Sequence, residues 1–327
     1  VTLTELVIAN LTSPAILCFF LGILVTLLKS DLRVPPAVHE AISLYLLFAI
    51  GLKGGFAIAN SSVHELIKPA IATLTIGIIT PFIAFLVARG IGRLNAQNAA
   101  ALAAHYGSVS AVTFMAAISF AKISDIPTEA FMPALVALLE IPGILIALVL
   151  VHVYHRGADT KVSAVVHEVL TGKTMMLLIG GVIIGVISGE KGKTLIAPVF
   201  VDAFQGILTF FLLEMGIIAA QRLKEMRESI GFLIVYGITL PLLFGTFGAF
   251  MGYFSGLSIG GAMVLATMAA SASYIAAPAA VKISIPTANP SIYLTASLGI
   301  TLPFNLIVGL PLYYQIVKWI FLHFDGA

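Results

Sequence analysis

Apolar runs of about 20 residues, the helix length that crosses a bilayer core of about 30 Å, alternate with short polar punctuation along almost the whole chain. Charged and turn-forming residues divide it into ten predicted spanning helices: 11–28, 40–59, 67–89, 96–121, 128–152, 172–189, 199–221, 229–253, 259–281 and 290–317. The only sizeable polar connection is HRGADTKVSAVVHEVLTGK, His155 to Lys173, between the fifth and sixth spans. The first apolar stretch, Leu6 to Leu28, is too long for a signal-peptide core and runs directly into Lys29 and Arg33, so it reads as a span that stays in place.

The second half of the pattern repeats the first. GIITP (Gly77 to Pro81) returns as GITLP (Gly237 to Pro241), and AALAAHYGSVSAVTFMAA lies on MVLATMAASASYIAAPAA so that Ser108 falls on Ser271 and Ser110 on Ser273. DIPTEA (Asp125 to Ala130) then falls near SIPTAN (Ser284 to Asn289), and Pro142 on Pro303. Four matches in the same order indicate a repeat. With five spans per copy, the second copy enters the membrane from the opposite face, the inverted plan of many secondary transporters. The expected fold is therefore an all-α membrane protein of about ten transmembrane helices in a 5+5 inverted repeat. The first repeat covers 1–154, a cytoplasmic connection 155–173, and the second repeat 174–327.

Composition agrees with this and narrows the function. Hydrophobic residues make up 60% of the 327 and charged residues 10%, too few polar groups to cover a soluble globule of this size. The formal net charge is only +2 and the basic residues are scattered, which sets nucleic acid aside. Of the 17 Lys and Arg, eleven fall in connections on one side, among them Lys29, Arg33, Arg89 and Arg93, while Lys68, Lys122, Lys191, Lys193 and Lys318 fall on the other. The positive-inside rule then puts both termini outside a cell's inner (plasma) membrane. Cys18, the single cysteine, lies within the first span and carries no redox message. No HExxH, Walker-type loop or paired Cys/His spacing occurs, and no nucleophile is spaced with a base, so neither an enzyme nor an ATP-driven pump is expected.

The informative residues are polar groups and prolines at membrane depth. The stretch AASASYIAAPAAVKISIPTANPS, Ala269 to Ser291, spends serines, prolines, a lysine and an asparagine where a plain spanning helix would not. If the fourth and ninth spans break and cross at the midplane, their free N–H groups and positive dipole ends face one cavity. Ser108, Ser110, Thr113, Ser271 and Ser273 then offer hydroxyls to an anion or oxygens to a cation; close packing of small residues is the competing explanation. Asn289 caps freed backbone groups or contacts an ion. Glu140, in ALLEIPG, needs a partner, a proton or a cation at that depth. Glu214 has similar placement but no polar companion on its helix. Lys53 is expected to snorkel to the outer surface, with attraction of an anionic substrate as the other reading, and His105 is expected to be a packing residue.

EAISLYLLFAIGLKGGFAIANS (Glu40 to Ser61), GSVSAVTFMAA (Gly107 to Ala117), EIPGIL (Glu140 to Leu145) and above all IPTANPSIYLTASLGITLP (Ile285 to Pro303) resemble the sodium-dependent bicarbonate transporter (SbtA-like) family along nearly the whole chain. The resemblance implies a transport core, 67–152 and 229–317, moving like an elevator against a gate, 1–59 and 172–221. It further implies a homotrimer in the lipid bilayer and, in some members, inhibition by a cytosolic PII-like regulator. Ser108, Ser110, Thr113, Ser271, Ser273, Tyr274 and Asn289 would surround bicarbonate and sodium. Glu140 stands where the family commonly has aspartate, and Ser110, Glu140 and Ser273 would ligate sodium, the coupling ion; no other cofactor is implied. Three departures mark the chain as divergent: Tyr274 replaces a carboxylate after the serine run, Lys53 replaces a small polar residue, and the central connection is short. The implied function is sodium-coupled symport of bicarbonate or a similar small anion. A proton-coupled monocarboxylate or other anion carrier and a non-transporting membrane sensor or scaffold are the alternatives.

Overall fold

A computed structural model of the chain describes residues 3–60, 62–154, 167, 170–225, 230–274 and 276–324. Most of the central connection, at 155–166 and 168–169, therefore lies outside the described residues. The helices are α1 (Leu3–Leu11), α2 (Pro14–Leu27), α3 (Pro36–Ala59), α4 (Val63–Gly90), α5 (Ala96–Tyr106), α6 (Ala111–Ile123) and α7 (Met132–Tyr154). There follow α8 (Lys173–Ala197), α9 (Phe204–Glu225), α10 (Ile230–Phe254), α11 (Ile259–Ala270), α12 (Ala276–Ser284) and α13 (Pro290–Phe324). No strand occurs among the described residues. Among the described residues, seven helical stretches are long and apolar enough to cross a membrane, with Pro14–Leu27 and Ile259–Ala270 as shorter apolar helices. The protein is a multi-pass membrane protein.

Three elements differ from the pattern read in the sequence, each for a local reason. The first apolar stretch is two helices, because Pro14 opens α2 and the Ser13 hydroxyl accepts from Ile16 N at 3.4 Å to cap it. The sixth and seventh spans form one apolar stretch, Met175–Leu223, of 49 residues, which would run about 74 Å as a straight helix. It is divided by Gly189, whose φ of 55° favours glycine, and by a π-helical turn at Pro198–Asp202. The last helix is longer than expected and widens into π-helical turns at Thr295–Thr301 and Asn305–Gly309, on either side of Pro303, which cannot donate to the ladder. Polar side chains meet that irregular backbone: Asn10 Nδ2 donates to Leu306 O at 2.6 Å, while Asn305 donates to Ala270 O at 2.9 Å and accepts from the Tyr313 hydroxyl at 2.8 Å.

Two helix pairs are pressed together through glycine. On the α3 and α8 faces, a methyl group placed on Gly55 would come within 2.8 Å of Gly185 Cα, and one on Gly51 within 3.0 Å of Gly181 Cα. On the α2 and α9 faces, Gly22 would meet Gly216 in the same way at 3.0 Å. Lipid tails are as apolar as leucine, so such close backbone packing, with its dispersion contacts, holds helices together where the hydrophobic effect does not. Elsewhere α4 packs on α5 and α7, and α10 on α11 and α13. Gly77 lies against Leu139 and Pro142, and Gly237 against Ile300 and Thr301.

Candidate functional site

The fourth and ninth spans are both interrupted: α5 ends at Tyr106 and α6 begins at Ala111, while α11 ends at Ala270 and α12 begins at Ala276. A serine starts each new helix. Ser110 Oγ accepts from Thr113 N at 3.1 Å, and Ser273 Oγ accepts from Ala277 N at 3.3 Å, each supplying a partner to a first-turn N–H that the helix itself leaves open. Gly107 sits against Pro81, and Gly143 of α7 presses on the Gly107 backbone, where a side chain would collide with it. The chain therefore turns out of its helix at a point where α4 and α7 leave no room for a Cβ.

The interruptions fasten to one another. Ser273 N donates directly to His105 O at 2.8 Å. In the other direction, Ser110 N donates to Ser271 Oγ at 2.9 Å, and that hydroxyl donates to Met268 O at 2.7 Å. Under the sequence match that lays Ser110 on Ser273, His105 lies on Met268, so the two linkages correspond, one direct and one routed through a serine hydroxyl. The N-terminal ends of α6 and α12, each with its partial positive charge, meet at this crossing.

Glu140 enters from α7. Its side chain is 3% exposed, its backbone carbonyl accepts from Ser108 Oγ at 3.1 Å, and its Oε1 accepts from Ser273 Oγ at 3.4 Å. Together with Ser110, Ser273, Tyr274, Val109, Ala111 and Leu47 of α3, it lines a small cavity with room for about one water-sized group. The Tyr274 hydroxyl is buried beside the cavity without a hydrogen-bond partner among the described residues. Hydroxyl and carboxyl oxygens suit a hard cation, helix N-termini suit an anion, and this crossing has both.

The predicted site residues thus divide into groups. Ser110, Glu140, Ser273 and Tyr274 face the cavity. Ser108, Thr113 and Ser271 are buried beside it but spend their hydroxyls on the framework, with Thr113 Oγ1 donating to Ser110 Oγ at 3.0 Å. Asn289 stands apart. It is exposed and caps α13, its Oδ1 accepting from Ser291 N at 3.0 Å and its backbone N donating to Asn98 Oδ1 at 2.7 Å.

Other residues acquire companions the sequence hid. Glu214 is paired after all: His39 Nδ1, from α3, lies 2.9 Å from its Oε1, with the imidazole stacked on Phe211. Tyr106 OH and Thr301 Oγ1 are 2.6 Å apart, and Thr301 donates to Gly237 O at 2.8 Å. His105 is fully buried, with Nδ1 2.7 Å from Ala101 O and its ring against Tyr293, the packing role expected of it. The Lys53 ammonium lies 4.0 Å from the centre of the Phe204 ring. It stands in a larger cavity of about 350 Å³ between α3, α6, the start of α7 and the α8–α9 junction. Apart from the His105–Ala101 contact within α5, none of these partners could be read from one segment alone, because each joins residues far apart in sequence.

The profile of the Na+-dependent bicarbonate transporter superfamily matches residues 14–318. Nothing matches among curated proteins. With interrupted helices, membrane-depth hydroxyls and a buried carboxyl all inside a match that covers nearly the whole chain, the protein belongs to the Na+-dependent bicarbonate transporter superfamily.

Proposed function

We propose that the protein is a sodium-coupled symporter of bicarbonate or a similar small anion, with Ser110, Glu140, Ser273 and Tyr274 at the ion and substrate site. The observation that carries this reading is the crossing itself, where two helix N-termini and a buried carboxyl converge on one cavity. An anion alone there is repelled by Glu140 and a cation alone by the helix ends. Bound together they compensate each other, which makes their binding cooperative. The present cavity is too small for bicarbonate, so loading requires movement of the surrounding helices.

The same reading takes the ten segments as a 5+5 inverted repeat. In its support, the glycine-packed pairs α2–α9 and α3–α8 exchange with each other when the halves are swapped, as do the Gly77 and Gly237 contacts and the two linkages at the crossing. The glycine-packed body then serves as gate and the interrupted body as an elevator-like core, with both termini outside. A homotrimer and a PII-like regulator belong to the same proposal as features that the resemblance implies.

In proteoliposomes, labelled bicarbonate should accumulate under an inward sodium gradient, and Ser110→Ala or Ser273→Ala should each slow it about tenfold, as expected for losing a hydrogen bond of about 1 kcal/mol or more. Unchanged uptake in both variants would move the site elsewhere, and binding without flux would favour a sensor. A proton-coupled carrier is the second reading, favoured by Tyr274 in place of a carboxylate; accumulation driven by a proton gradient in sodium-free buffer would establish it.

A further inference from the structure

The larger cavity is not accounted for by the crossing, and its one deep cation has no assigned role. Lys53 makes no ion pair among the described residues. The carboxylates around it are engaged elsewhere: Glu129, on the cavity wall, accepts from Ser258 N at 2.5 Å and Ser258 Oγ at 3.2 Å. Glu190 is held by Lys193 at 2.9 Å and by Asn60 at 3.3 Å. Lys122 is close enough to add like charge. With Lys53, Lys122 and Lys193 set against Glu129 and Glu190, the cationic groups around the cavity exceed the carboxylates by one, and Ile50, Phe56, Phe114 and Met115 give it apolar walls that limit screening and focus the field. The Phe204 face holds the ammonium in place without neutralising it.

Position adds to charge. Ile50 and Phe114 line this cavity, while Leu47 and Ala111, three residues back on the same two helices, line the cavity at the crossing. Along these two helices the linings of the two spaces are offset by about one helical turn, roughly 5 Å.

We propose that this space is an antechamber in which a compact monovalent oxyanion, a bicarbonate or a small carboxylate, is held against the Lys53 ammonium before it passes to Ser110 and Ser273. The assignment rests on the transport reading for its direction and on the cavity alone for its charge preference. Cations are disfavoured at the same point, so selection by charge begins before the ion site.

The test uses the full chain carrying Cys18→Ser and Thr128→Cys, with Thr128 on the cavity wall, and compares thiol modification by anionic and cationic methanethiosulfonates of similar size. With Lys53 present the anionic reagent should be favoured, and Lys53→Gln should lower that preference about tenfold, the lower end of electrostatic focusing. Lys53→Arg should keep it, and added sodium bicarbonate should slow the anionic reagent more than sodium chloride at equal ionic strength. In uptake assays Lys53→Gln should raise the KM for the anion while kcat is retained. A charge preference identical in Lys53 and Lys53→Gln proteins overturns the antechamber, whatever the uptake data show. A Lys53-dependent preference in a protein that takes up no bicarbonate under a sodium gradient keeps the antechamber and removes the substrate assignment instead.

Discussion

Glu140 is the residue through which the proposed sodium coupling is tested. Its carboxyl is 3% exposed at membrane depth, where an ionised group needs a partner, a proton or a cation, and its Oε1 accepts from the Ser273 hydroxyl at 3.4 Å. In the proposed symport that partner is sodium. Glu140→Gln keeps the shape and removes the charge. Loss of a charged interaction of about 1.5–3 kcal/mol should raise the sodium concentration for half-maximal uptake at least about tenfold, and Glu140→Asp should restore part of the difference. An unchanged sodium dependence in Glu140→Gln would assign coupling to other oxygens. Asn289→Ala offers the contrast: as an exposed helix cap it should cost about 1 kcal/mol of stability, read by thermal unfolding in detergent, and leave the sodium dependence as it was.

At the scale of elements, the interruptions are built into glycine positions as much as into serines. Gly143→Ala would drive a methyl into the Gly107 backbone, and overpacking of this kind costs about 1–3 kcal/mol. The variant should unfold at lower temperature, whereas Gly180→Ala, where a methyl meets nothing within 4 Å, should not be destabilised. Much of this level was legible in the sequence. The expected spans 40–59, 67–89 and 229–253 begin or end within a few residues of α3, α4 and α10, because apolar runs bounded by charge and proline report directly on length in lipid. The Ser-rich stretches marked the interruptions, since a serine at a helix start acts locally through its own cap. What stayed hidden was of two kinds. Backbone irregularities such as the Gly189 kink and the π-helical turns at 295–301 and 305–309 leave the apolar pattern unbroken. Pairings such as His39 with Glu214 or Tyr106 with Thr301 depend on which helices become neighbours. The division of the serines into cavity-facing and framework roles belongs to the second kind.

For the whole molecule, transport by a moving core requires that α3 and α6 slide past each other, since Leu47 on one and Ala111 on the other line the same small cavity. A disulfide between Leu47→Cys and Ala111→Cys, in a Cys18→Ser background, should arrest uptake when oxidised and release it on reduction; full uptake with the bond formed would exclude relative motion at that seam. A further consequence comes from the carboxyl having no acidic counterpart. The position matching Glu140 is Thr301, and Thr301 is occupied by Tyr106 and Gly237. A carrier made of mirrored halves reaches its two facing states by exchanging the halves' conformations, and matched residues would give those states equal energies. With charge on one half alone, the degeneracy is lifted. For the proposed inverted-repeat carrier, fluxes measured in opposite directions under equal and opposite gradients should therefore be unequal, so that it rectifies.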